Sequence, residues 1–350
     1  QGSVSHLNFL SKKEKEVFKT AFEIDQKWII ELGADRTPYV SQAQSINIFI
    51  PADVHKRELH QIHFQAWKKG LKSLYYCRSK SIQRAESIGA TAIQIFASSP
   101  RGWRFKPFSE EDVERFSNSR KESNVSTVVC HGIYLVNLGG KEELLEKSIQ
   151  SLTDHLTAAH QIGAKGVVFH SGSHKGVGFD QIFSQATQAI KSVLEVSPLD
   201  TELIIENCAG MGAQIGASFE EIGAMISEVS DERLKCCIDL QHAFAAGYDI
   251  GNSESIDQVI GDFDFHIGLE RLSVIHANDS KVPFDSGVDR HENIGEGHIG
   301  IEGFKTILNH PSLKNAPFIL EVPGFDGKGP DKRNIAVSYT HLTLPTSDLV

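Results

Sequence analysis

Long apolar runs are absent from the 350-residue chain. None approaches the ~18 residues a membrane-spanning helix needs, and the first 30 residues hold a run of charges from Lys12. Neither a transmembrane helix nor a signal peptide is therefore expected. Cysteine is scarce: Cys77, Cys130, Cys208, Cys236 and Cys237 make an odd count with no C-x-x-C spacing. That pattern argues against a disulfide framework and a thiolate zinc site, and a reducing cytoplasm is the compartment it suggests. Positive charge is also short, with 35 Lys and Arg against 45 Asp and Glu, a net charge of −10. Bulk charge thus excludes a generic polyanion binder, but not a nucleic-acid enzyme whose metal ions supply the positive field. The apolar share of 40% is ordinary for a globular chain, so disorder throughout is excluded too.

Present instead is a repeat. From about residue 85, short apolar runs alternate with longer amphipathic stretches. The runs are Ala92–Phe96, Ser126–Cys130, Gly166–His170, Glu202–Glu206, Lys235–Asp239, Leu272–His276 and Pro317–Glu321. Their starts lie 33 to 45 residues apart, and each gap holds a helix-like segment such as 140–162 or 179–194. Buried parallel strands read this way, and serial βα units imply right-handed crossovers. Seven units predict an α/β fold of the (β/α)8 TIM-barrel type with one strand missing. Residues 1–80 form a separate, mixed α/β fragment. There Ser11 and Glu14 make a capping-box pattern before a helix expected to reach Asp25. Ser45–Ile50 reads as a strand, Asp53 as the cap of a helix to Lys69, and Ser73–Cys77 as another strand. From Val337 the chain has no periodicity.

Polar residues gather at the C-terminal ends of the runs. His131, His170, Glu206, Asp239, His276 and Glu321 fall on six consecutive strands, at the rim where barrels build their sites. His242, Asp289 and His291 lie just beyond strands. One His or Asp at a strand end is usually a hydrogen-bonding group, but six in register call for another explanation. Nitrogen and carboxylate ligands without sulfur suit zinc, manganese or iron, and nine of them imply two or three ions.

The segments C-H-G-I-Y-L-V-N-L-G (130–139), F-H-S-G-S-H (169–174), I-I-E-N-C-A-G-M-G (204–212), C-I-D-L-Q-H-A-F-A-A-G-Y-D (237–249), H-A-N-D-S-K (276–281), V-D-R-H (288–291) and I-L-E-V (319–322) resemble endonuclease IV over about 81–336. That family comprises zinc-dependent apurinic/apyrimidinic endonucleases. The resemblance implies three Zn2+ ions, with Mn2+ as the alternative. His131, His170 and Glu206 would hold the first. Glu206 would bridge to a second with Asp239, His276 and Glu321, and His242, Asp289 and His291 would hold the third. It further implies hydrolysis of the phosphodiester 5′ to an abasic nucleotide in double-stranded DNA. The ends left are a 3′-hydroxyl and a 5′-deoxyribose phosphate, and 3′-end cleaning accompanies the activity. Either Glu206 or Glu321 would orient or deprotonate the water, a choice the sequence leaves open.

A loop after Ala92–Phe96 interleaves Arg101, Arg104 and Lys106 with Trp103 and Phe105, a mixture suited to phosphate contact and insertion into a base stack. By the same resemblance Arg101 fills the gap at the lesion, while Tyr134 and Leu135 wedge from the other groove. Neither a membrane nor an obligate protein partner is implied.

Residues 1–80 carry a second resemblance. F-L-S-K-K-E-K-E-V-F-K-T-A-F-E-I-D-Q-K-W (9–28), A-D-R-T-P-Y-V-S-Q-A-Q-S-I-N-I-F-I-P-A-D-V (34–54) and A-W-K-K-G-L-K-S-L-Y-Y-C-R-S (66–79) are similar to the C-terminal part of a ribonucleotide reductase large subunit. The rest of that barrel is absent, so a reductase activity is not expected. The two resemblances meet within 79–86, as in a gene fusion or an assembly chimera. Residues 337–350 read as a non-native tail, 338–346 resembling translated sequencing-adapter DNA. Against the endonuclease pattern, the first strand with its Gly-rich turn is missing and the final helix stops near Asn334. Leu74–Cys77 is accordingly expected in the vacant slot between Ala92–Phe96 and Pro317–Glu321, with the Glu321 end left loose. Two alternatives stand beside the nuclease: a metal-dependent sugar isomerase or epimerase on the same barrel, and a non-functional chimera.

Overall fold

The computed structural model describes residues 3–21, 23–40, 44, 46–49, 56–71, 76–78 and 81–340. The chain divides into two compact units, Gln1–Arg84 and Ala85–Val350.

The first unit holds α1 (Lys12–Val17), α2 (Lys27–Arg36), β1 (Asn47–Phe49), α3 (Lys56–Lys68) and β2 (Tyr76–Arg78). The capping box of Ser11 and Glu14 is formed. Helix α1 nevertheless stops at Val17 and does not reach Asp25. It buries no residue, and a single exposed turn and a half is a marginal helix. At Thr20 the chain starts a new turn, where both the backbone N–H and the hydroxyl donate to Glu23 Oε2 at 2.8 Å. Ile30, Ile46, Ile48, Ile62 and Ala66 make a small core. Asp53 and Leu74 lie outside the described residues.

Helix α4 (Ser81–Ile88) leads along the chain into the repeat: β3 (Ala92–Phe96), α5 (Glu110–Lys121), β4 (Thr127–His131), α6 (Glu142–Gln161), β5 (Gly166–Phe169), α7 (Phe179–Val196), β6 (Glu202–Glu206), α8 (Phe219–Val229), β7 (Leu234–Asp239), α9 (Leu240–Ala245), α10 (Ile256–His266) and β8 (Leu272–His276). A short antiparallel pair, β9 (Asp279–Ser280) and β10 (His291–Glu292), then precedes α11 (Gly300–Asn309), β11 (Phe318–Ile319) and α12 (Lys332–Thr340). One parallel sheet runs β11-β8-β7-β6-β5-β4-β3. Its outer strands β3 and β11 come side by side, so the sheet curls into a nearly closed barrel.

Three expectations are corrected here. Of the segment Leu74–Cys77 expected in the vacant slot, Leu74 and Tyr75 lie outside the described residues, and Tyr76 and Cys77 pair instead in parallel with Asn47 and Ile48 of their own unit. Strand β1 offers a ladder fixed by a core of its own unit, with Ile48 buried beside Ile30, Ile46, Ile62 and Ala66. The last strand is Phe318–Ile319 and not Pro317–Glu321. Proline has no N–H to give the ladder, and the Glu321 N–H is donated to Asn278 Oδ1 at 2.7 Å. The final helix continues to Thr340, past Asn334, whose side chain is buried against Asn293.

Tight helix packing around the barrel gives a direct test. A Cβ on Gly223 of α8 would stand 2.1 Å from the His266 carbonyl oxygen at the end of α10. Backbone on both sides leaves no flexible group to yield. Gly223→Ala is expected to destabilise the second unit by about 1–3 kcal/mol in denaturant unfolding, and an unchanged midpoint would show that the two helices slide apart freely.

Candidate metal centre

Ala92, Val129, Val168, Ile204, Cys237, Val274 and Ile319, one from each strand, pack together in the barrel interior. Strand side chains alternate, so the residues two further on face the same way. Those residues are Gln94, His131, His170, Glu206, Asp239, His276 and Glu321. The apolar layer is thus the floor of a polar layer: Val168 pairs in step with Ile204 and Asp239 with His276, while the other strand pairs are offset by two residues, the stagger that tilted barrel strands require.

Glu206 is the hub. It is fully buried, with Oε2 3.2 Å from His131 Nε2 and 3.5 Å from His170 Nε2. Its Oε1 lies 3.1 Å from His276 Nδ1 and 3.3 Å from His242 Nδ1. Buried Asp239 receives the Asn278 amide at 2.6 Å, and His276 Nδ1 stands 3.2 Å from Glu321 Oε2. His242 Nε2 and His291 Nε2 both face the Asp289 carboxylate at 3.4 Å.

Carbonyl oxygens fix the rings. His131 Nδ1–H donates to the Gly132 carbonyl at 2.7 Å, His242 Nδ1–H to that of Asn207 at 3.0 Å, and His276 Nε2–H to Gln94 Oε1 at 2.9 Å. His291 Nδ1 is 3.4 Å from the Glu321 carbonyl. A carbonyl can only accept, so each ring keeps its proton on the outer nitrogen and turns the other inward, as outer partners of metal-ligating histidines do.

Three overlapping groups result, each with its ligand atoms within 4.8 Å of one another: His131, His170 and Glu206; Glu206, Asp239, His276 and Glu321; Asp239, His242 and His291. Divalent ions fit these groups on an observation independent of the ligand types. His242 Nε2 and His291 Nε2 are buried and have no hydrogen-bond partner. Such atoms are costly unless something is coordinated there.

The electrostatics follow from this crowding. Burial opposes the charge on Glu206, yet the histidines around it, His170 and His276 foremost, hold its carboxyl well below the usual range. Burial likewise opposes charge on Asp289 and Glu321. His242 takes Asp289 down to about 2, and His276 lowers Glu321. Burial works against protonated His131, His242 and His276, but carboxylates raise the first two, and Cys237 with Glu321 and Glu206 raises His276. His170 alone is lowered, because burial outweighs Glu206.

Over this centre opens a cavity of about 740 Å3, lined by Trp103, Tyr134 and Leu135 together with His131, His170, His242, Asp289, His291 and Glu321. Arg101 and Arg104 stand exposed on the loop beside it. Tyr134 N–H donates to the Pro100 carbonyl at 2.9 Å, so the Arg101 loop and the Tyr134 loop are joined. Lys175 and Gln214 also line the cavity. Sequence reading missed these two, as it missed Gln94, Asn207 and Asn278. A polar residue inside an apolar strand was the available signal for Gln94, and adjacency to a ligand that for Asn207.

Comparison with known proteins adds the following. Residues 82–342 match the family described as xylose isomerase-like TIM barrel, and residues 1–77 match the ribonucleotide reductase barrel domain. A probable endonuclease 4 of Halothermothrix orenii is 41% identical over 254 residues, 72% of this chain and 91% of that protein. The crystal structure of endonuclease IV from Thermus thermophilus superposes with a TM-score of 0.66 at 32% identity, over 85% of this chain and 98% of that one. A D-tagatose 3-epimerase-like protein superposes with a TM-score of 0.56 at 14% identity, over 84% and 96%, a likeness of fold alone.

The shifted groups set a pH window for chelator-treated protein. Raised histidines stabilise fully below their ordinary 6.5 and lose that contribution as pH climbs through their folded values. Lowered Glu206 and Glu321 stabilise fully above their ordinary 4.5 and lose it as pH falls through theirs. His170 acts in the opposite sense to the other three below 6.5. Melting temperature without metal is expected to peak between about 4.5 and 6.5, and saturating Zn2+ to move the peak upward, since ligation needs neutral imidazole. Thermal melts that rise steadily to pH 8 without metal would contradict the arrangement.

Proposed function

The chain belongs to the endonuclease IV family of metal-dependent AP endonucleases in DNA repair, and from that premise we propose that it hydrolyses the phosphodiester 5′ to an abasic site in double-stranded DNA with three zinc ions. The observation that carries this reading is the polar layer itself, with one buried carboxylate between four histidines. His131, His170 and Glu206 hold one ion; Glu206, Asp239, His276 and Glu321 the second; His242, Asp289 and His291 the third. Nitrogen and oxygen donors without sulfur favour zinc, with manganese as the alternative. When bound, such ions lower the pKa of water and neutralise charge developing on phosphoryl oxygens.

This chain's residues do the rest. Glu206 is sealed from solvent, so its part is to join the two ligand groups. Glu321 is partly open, lines the cavity and is held ionised beside His276, so it is the carboxylate that can reach an attacking water and take its proton. Trp103, Tyr134 and Leu135 face the space above and support insertion into the base stack, while Arg101 and Arg104 supply phosphate contacts and fill the gap left by the missing base. The sugar epimerase alternative shares the barrel but has no use for the His242–Asp289–His291 group or the Arg101 loop.

On this reading residues 81–336 are the catalytic barrel and 1–80 a fragment like the reductase domain, while the expected tail 337–350 overlaps the end of the family match at 342. Work beside DNA in the cytoplasm goes with the DNA-repair relatives, and among the described residues no helix is long and apolar enough to cross a membrane.

A duplex with one tetrahydrofuran abasic analogue tests the proposal. Cleavage is expected to stop on chelation, and Glu206→Gln to lower kcat by at least ~100-fold, the loss that even an outer partner of a ligand can cause. Full activity in Glu206→Gln would place the chemistry elsewhere. In gel-shift titrations Arg101→Ala is expected to weaken abasic duplex more than intact duplex. Equal losses would reduce Arg101 to a phosphate contact worth about one unit of salt slope.

A further inference from the structure

The polar layer has seven members and only six are ligands. The seventh, Gln94, comes from the outer strand β3, two residues beyond Ala92 in the apolar floor. On the other side of the opening stands Glu321, just past β11. Among the described residues no ladder joins these two strands. Gln94 spans the gap with both ends of its amide: Nε2–H donates to Glu321 Oε1 at 2.7 Å, and Oε1 accepts His276 Nε2–H at 2.9 Å.

We propose that Gln94 is a positioning residue that closes the metal centre across the barrel seam, setting the rotamer of Glu321 and the tautomer of His276. The inference rests on the metal-centre reading above. An amide suits the place because it is a donor at one end and an acceptor at the other. With the His276 proton held on Nε2, Nδ1 presents its lone pair 3.1 Å from Glu206 and 3.2 Å from Glu321. With Glu321 Oε1 engaged, Oε2 is the oxygen left to face His276. Asn278 fixes the same residue from the opposite side, its Oδ1 accepting the Glu321 N–H at 2.7 Å. A pair of amides thus does locally what a ladder would do for a closed barrel. Gln94 lies outside the cavity lining, so it acts through two ligands and not on DNA.

The test compares the full-length chain with Gln94→Met, which keeps size and removes both hydrogen bonds, and the isosteric Gln94→Glu, which keeps the acceptor for His276 but sets a second carboxylate against Glu321. Zn2+ affinity is read by competition with a chromophoric chelator, alongside kcat and KM on the tetrahydrofuran duplex. Gln94→Met is expected to weaken one zinc equivalent ~10–100-fold, leave the others in place, and lower kcat with KM unchanged. Gln94→Glu is expected to lose more than Gln94→Met, despite its closer shape. Wild-type zinc affinity in Gln94→Glu overturns the inference, and so does a loss spread evenly over every equivalent, which would mark a general packing role. Failure of the underlying reading looks different: the unmutated chain would then bind no zinc, and the inference falls with it.

Discussion

A buried carboxylate at the centre of the barrel is the constraint on which the rest of this structure depends. Glu206 has no exposure to water, and a lone charge there would cost several kcal/mol. Four ring nitrogens from four different segments surround it. Each of those histidines is itself buried or half-buried and needs its other nitrogen satisfied. Carbonyls do this for His131 and His276, whereas in His242 the Asn207 carbonyl takes the same Nδ1 that faces Glu206. The compensation therefore spreads outward in rings, and a change in any ring is felt at Glu206. Two imidazole nitrogens remain unmatched, and they mark where the protein alone does not complete the accounting of polar groups.

Strand periodicity makes so dense a centre compatible with a stable fold. The same inward face that delivers Val129, Val168, Ile204, Cys237, Val274 and Ile319 to the core delivers a member of the polar layer two residues later. Core and site are consecutive layers of one sheet, so packing below fixes geometry above. Asp279, just beyond the site, extends the logic to the loops: its carboxylate accepts N–H groups from Ser280, Gly295, Gly297, Ile299 and Gly300, anchoring the segment that follows His291. Gly297 permits this approach, since a Cβ there would lie 2.4 Å from the Asp279 carboxylate.

Much of this was legible in the sequence because it is local and periodic. Strand ends carrying His131, Glu206 or Asp239 announce themselves by a polar residue closing an apolar run, and V-D-R-H offered His291, which the structure groups with His242 and with Asp239 where the sequence had suggested Asp289. Gln94 was not read as part of the layer because its strand continues past it to Ile95 and Phe96, so it closes no run. Asn278 was passed over because a neutral amide beside a ligand looks like loop. The N-terminal error has another origin. A vacant slot invites any nearby strand, but Tyr76–Arg78 had a parallel partner in Asn47–Phe49 within its own unit. The loosening expected at Glu321 did not follow either, because side chains from Gln94 and Asn278 tie it where backbone pairing is lacking.

Charge supplies the last step. A chain of net charge −10 that acts on DNA must create its own local attraction. Glu206, Asp239, Asp289 and Glu321 bring four carboxylates beneath the cavity, against histidines that carry charge only when protonated. Raised His131, His242 and His276 offset at most three of those four charges, so without metal the set gives a phosphate no net attraction. Divalent ions in the same place reverse the sign of the field, while the cations on the Arg101 loop stand apart at its edge. Metal occupancy and DNA affinity are therefore coupled through one set of carboxylates, and by linkage the coupling is reciprocal: phosphate above the centre favours retention of the ions beneath it.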